Sequence, residues 1–96
     1  MATRSPSYSP IKEWHDRELK FDTRGYILVM VPEHPKSFRG GWYYEHRLVS
    51  ERSIGRVLFS DETCHHLNED KFDNREINLF VCTRKEHNKA HALTAA

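Results

Sequence analysis

A chain of 96 residues that is 38% hydrophobic makes one small domain with a modest core, and no apolar run nears the ~20 residues of a membrane-spanning helix. Lys and Arg number 15 against 14 Asp and Glu, for a net charge of +1. The large basic excess of a non-specific nucleic-acid binder is therefore missing, and any such affinity rests on a few well-placed cations. The two cysteines, Cys64 and Cys82, form no C-x-x-C pair, which excludes a disulfide framework and suits small buried residues of a reduced, cytosolic protein.

Residues 1–10 are rich in Ser and Pro, lack the apolar stretch of a secretory signal, and read as a flexible lead-in. Residues 11–24 are densely charged and point to no element, so 1–24 are expected to form an N-terminal extension. Gly25-Tyr26-Ile27-Leu28-Val29-Met30-Val31 is apolar and β-branched between Gly25 and Pro32, the pattern of a strand. A loop with two Pro and two Gly follows to Gly41, and Trp42-Tyr43-Tyr44 is predicted to pair back on the first strand. His46 to Arg52 has helical character, with Gly55 as its stop. Thr63 to Leu67 reads as a strand, Asn68 to Glu76 as a loop of side-chain-to-backbone turns, and Asn78 to Cys82 as a second strand. Thr83 and Glu86 fit a capping box, so a helix is predicted from Arg84, with His87 and His91 at i and i+4 on one face.

Crowded imidazoles need a partner, because protonated neighbours repel and neutral ones require hydrogen bonds. Two histidines one helical turn apart form a natural chelate for a metal ion. A third ligand must come from elsewhere, and the strand bearing His65 and His66 is the nearest source. Successive strand residues face opposite ways, so one of that pair is placed to bind an ion and the other to do acid–base work. Three protein ligands with an open position characterise catalytic metal sites.

The ordered set Gly25-Tyr26, Glu45-His46-Arg47-Leu48-Val49, Gly55-Arg56-Val57-Leu58, His65-His66-Leu67-Asn68-Glu69-Asp70-Lys71-Phe72-Asp73-Asn74-Arg75, Asn78-Leu79 and Glu86-His87 with His91 resembles the HNH endonucleases, in their compact phage or prophage form. The resemblance implies an α+β fold. A C-terminal ββα-metal motif, its core at about residues 63–91, would follow a short antiparallel β-hairpin and a helix, all within a nuclease domain of residues 25–96. It implies His65, His87 and His91 as metal ligands, His66 as the general base, and Asn78 as the residue that ties down the loop and helps orient that base. Glu69 departs from the pattern, where many relatives have Gly; Cys64 stands where many have Val.

The activity implied is hydrolysis of DNA phosphodiester bonds with one divalent cation, Mg, Mn, Ni or Zn. All-imidazole ligation suits the borderline ions better than Mg. DNA contact is expected mainly through backbone phosphates, from Arg84 beside the helix histidines and from Arg47, Lys71, Arg75, Lys85 and Lys89, with weak sequence preference. A homodimer or a phage packaging partner, no membrane, and the cytoplasm of a bacterial host complete the expectation. The competing class is a zinc-stabilised DNA-binding or phage-assembly module of the same fold without the chemistry. Of the remaining residues, His46 is expected in a structural hydrogen bond, His15 and His34 exposed and idle, Asp73-Asn74 as turn formers, and Trp42, Tyr43 and Tyr44 in packing.

Overall fold

The computed structural model describes residues 9–83 and Lys85. Its elements in chain order are strand β1 (Leu19–Phe21), strand β2 (Ile27–Met30), strand β3 (Trp42–Tyr44), helix α1 (Glu45–Ile54), strand β4 (Glu62–His66) and strand β5 (Leu79–Thr83). Single 3-10 turns at Arg39–Gly41 and Glu76–Asn78 lead into β3 and β5. β1, β2 and β3 form an antiparallel sheet in that order, and β4 with β5 forms a separate antiparallel hairpin. The α+β architecture is as expected, but the first sheet has three strands where a hairpin was predicted. Leu19, Lys20 and Phe21 are all exposed, so no burial pattern announces β1; pairing with Ile27, Leu28 and Val29 alone defines it. The helix predicted from Arg84 lies outside the described residues apart from Lys85. No helix among the described residues is long and apolar enough to cross a membrane.

Local chemistry explains the turns. The Asp22 carboxylate accepts the N–H groups of Arg24 and Tyr26, each at 2.9 Å, and Gly25 adopts the positive φ of 91° that lets the chain reverse into β2. Gly55 ends α1 at φ 82°, its N–H returning to the Glu51 carbonyl at 2.8 Å, an αL cap at the predicted position.

The core gathers Trp14, Val29, Val31, Tyr43, Leu48 and Val49, where β2, β3 and α1 meet. Trp14 comes from the charged stretch that the sequence left unassigned. A polar knot sits beside this core. The Glu51 side chain is fully buried; Oε1 accepts from His34 Nε2 at 2.8 Å, and Oε2 accepts from the Tyr43 hydroxyl at 2.8 Å and the Leu58 N–H at 3.0 Å. His34 was expected to be exposed, yet it is 3% exposed and stacks on Tyr43 with ring centroids 3.8 Å apart. The loop after β2 folds back over α1 and delivers His34 to Glu51, a contact between residues 17 apart in sequence.

Candidate active site

β4 and β5 pair in register from Glu62↔Thr83 to His66↔Leu79, so β4 projects neighbouring side chains to opposite faces of the hairpin. Cys64 and His66 turn towards α1. The Cys64 Sγ lies 2.8 Å from Ser50 Oγ, and the His66 ring centroid lies 4.9 Å from that of His46. Burial pushes the Cys64 thiol above its ordinary pKa, which suits a packing role. His65 stands opposite Phe80 across the hairpin. His65 and His66 thus leave β4 in different directions.

The loop from Leu67 to Asn78 is held from within. The Asn78 side chain accepts the Asn68 N–H at 3.1 Å and donates to Asn68 Oδ1 and the Asp73 carbonyl, both at 2.8 Å. The Leu67 N–H reaches the Asn78 carbonyl at 2.8 Å and closes the loop at its neck. Asn68, Asp70 and Asp73 each accept the N–H two residues on, the turns anticipated from sequence. Asn78 therefore fastens the loop behind the histidine pair.

Glu69 is the loop's one strained position among the described residues, the only non-glycine with positive φ, at 65°. That geometry explains a Gly at the matching position of the resembled pattern. Glu69 is exposed, so Glu69→Gly is expected to raise the unfolding midpoint by the equivalent of about 1 kcal/mol. A lower midpoint in urea titration would contradict the strain.

His66 is 6% exposed, and its Nε2 lies 2.7 Å from Asn74 Oδ1. Asn74 in turn donates from Nδ2 to Glu45 Oε1 at 2.9 Å, and Glu45 Oε2 accepts the Trp14 indole N–H at 3.1 Å. Behind His66, the His46 ring is buried and its Nδ1 has no hydrogen-bond partner. A structural hydrogen bond had been expected for His46. Its ring is instead held by aromatic contacts, with Tyr26 and Tyr44 centroids each at 5.2 Å.

Burial, reinforced by the neighbouring His66 and Arg47, lowers the His46 pKa from 6.5 to about 3. Between those values the unfolded chain binds a proton that the folded chain refuses. Stability therefore falls as pH drops through this window, by at most about 1.4 kcal/mol per pH unit from this group. Urea midpoints measured from pH 7 to pH 4 are expected to decline less steeply for His46→Gln than for the parent. Parallel declines would remove His46 from the acid response.

Tyr26, Cys64, His65, His66, Glu69 and Lys71 line a cleft of about 220 Å³. Lys71 bridges its wall, donating to the Arg24 carbonyl at 2.7 Å with its ammonium 4.9 Å from the Tyr26 ring centroid. Of the residues expected on DNA, Lys71 is at the cleft and Lys85 is exposed. Arg75 is paired with Asp73 through two bonds of 2.7 Å and keeps that carboxyl well below the usual range. Arg47 ties α1 inward, donating to the Tyr43 hydroxyl at 3.0 Å and the Glu62 carbonyl at 3.2 Å. Arg84, Lys89, His87 and His91 lie outside the described residues.

Among the described residues no group of three or more His, Cys, Asp and Glu converges as a metal site. Of the three imidazoles expected to hold a cation, the described residues contain His65; His87 and His91 lie outside them. Sequence reasoning missed Glu45 and took Asn74 for a turn former. No local signal marks their link to His66, since Glu45 and Asn74 are 29 residues apart.

These features define a small α+β protein with a polar cleft beside two adjacent histidines on a clamped hairpin. A family model described as HNH endonuclease matches residues 43–89, which supports a place for the chain in the HNH endonuclease family. The matched stretch contains α1, the hairpin, the loop and both cleft histidines. No curated protein and no solved structure matches the chain.

Proposed function

We propose that the chain is a metal-dependent DNA endonuclease, with residues 25–96 as its nuclease domain and a ββα-metal core at about 63–91. His66 carries the proposal: one ring nitrogen is engaged by Asn74, so the other serves as a base for the water that attacks the scissile phosphate. Asn78 holds the loop that presents Asn74. A divalent cation on His65, His87 and His91 would supply Lewis-acid stabilisation of charge on the leaving oxygen. Lys71 at the cleft wall, with Lys85, Lys89, Arg84, Arg47 and Arg75, provides phosphate contacts that carry little sequence information.

The test is incubation of supercoiled plasmid with the purified protein and Mg, Mn, Ni or Zn. Open-circular or linear product is expected with at least one ion and is lost on chelation. No product with any of the four, or undiminished product with chelator present, would overturn the proposal.

A further inference from the structure

We propose that Glu45 and Asn74 are positioning residues that keep the His66 proton on Nε2 and its lone pair on Nδ1; this inference rests on the general-base reading of His66. An imidazole base serves only if the nitrogen facing the water is the unprotonated one. Tautomers interconvert readily in water, so the protein must select one.

Selection follows from what each group can accept or donate. An ionised carboxylate only accepts hydrogen bonds. Glu45 is the first residue of α1, where the helix dipole favours negative charge. Its Oε2 accepts the Trp14 indole N–H at 3.1 Å, and a buried indole can only donate. Its Oε1 lies 2.9 Å from Asn74 Nδ2. Reversing the Asn74 amide would set two acceptors against each other there, so the NH₂ must face Glu45 and Oδ1 must face the histidine. With an acceptor 2.7 Å away, His66 Nε2 must carry the proton. Nδ1 is then the basic nitrogen.

Three segments distant in sequence thereby decide which nitrogen can take a proton: the stretch before β1, the start of α1 and the clamped loop. Neither Glu45 nor Asn74 needs to touch the substrate, so their effect belongs to turnover and not to DNA affinity.

The experiment combines imidazole ¹⁵N spectra of the metal-free protein at pH 8 with steady-state plasmid cleavage in the activating metal, for the parent, Glu45→Gln, Asn74→Ala and His66→Ala. The parent is expected to show a protonated Nε2 and a lone-pair Nδ1 at His66. In Glu45→Gln the indole takes the amide oxygen, so the new NH₂ faces Asn74, reverses its amide and sets a donor against His66 Nε2. The His66 signals should move towards the Nδ1-protonated tautomer, and kcat should fall by up to about 10²-fold with KM unchanged. Asn74→Ala removes the selection, so a mixed tautomer and a similar fall in kcat are expected.

A parent spectrum with the proton on Nδ1 overturns the inference whether or not the variants fold. So does an inactive His66→Ala alongside a Glu45→Gln protein with parental tautomer and kcat. Parental activity in His66→Ala overturns the general-base reading and the inference with it.

Discussion

His66→Ala is expected to lower the single-turnover rate of plasmid cleavage by about 10²–10⁴-fold, the range that a positioned general base contributes. The fold should tolerate the change. His66 lies at the end of β4, and what its side chain forms is a bond to Asn74 and ring contacts to His46 and Tyr26. The Asn78 clamp that shapes the loop involves none of these atoms. Mn²⁺ affinity, measured by calorimetry, should therefore stay near the parental value while the rate collapses. A variant that cuts at the parental rate would take His66 out of the chemistry. A variant that loses metal binding as well as activity would make it a ligand instead.

The parts of this architecture that were legible in the sequence are those written in local chemistry. Gly55 could be read as a helix stop because only a residue at ease with positive φ suits an αL cap. The turns of the 68–76 loop follow from Asn and Asp side chains reaching their own backbone, and Asn78 was read as the loop's fastening from the family pattern. The illegible parts are contacts between distant segments. Trp14 sits in a run of charges, and nothing nearby signals that it enters the core and caps Glu45. β1 has no buried face to give it a period. His34 and Glu51 look like surface residues because each is polar, and only the fold-back of the loop after β2 buries them together. The same limit hid Asn74, whose turn chemistry was visible while its two long-range hydrogen bonds were not.

That buried pair gives the largest expected loss of stability. Glu51→Ala removes the acceptor of three donors at once: His34 Nε2, the Tyr43 hydroxyl and the Leu58 N–H. Leaving such groups unsatisfied in a dry interior, with a cavity beside them, is expected to cost about 3–5 kcal/mol. A domain of this size has only about 5–15 kcal/mol in total. Glu51→Gln separates the charge from the shape. The Lys36 N–H donates to His34 Nδ1 at 2.9 Å, which places the His34 proton on Nε2, facing position 51. Whichever way a Gln amide turns, its NH₂ therefore meets a donor, either His34 or the Tyr43–Leu58 pair. Changing the His34 tautomer only moves the conflict to Lys36. Gln should thus destabilise by about 1–3 kcal/mol despite being isosteric. Urea denaturation read through tryptophan fluorescence measures both. Midpoints ordered parent, then Gln, then Ala are expected, and a Glu51→Ala midpoint equal to the parent's would show that the three donors find other partners.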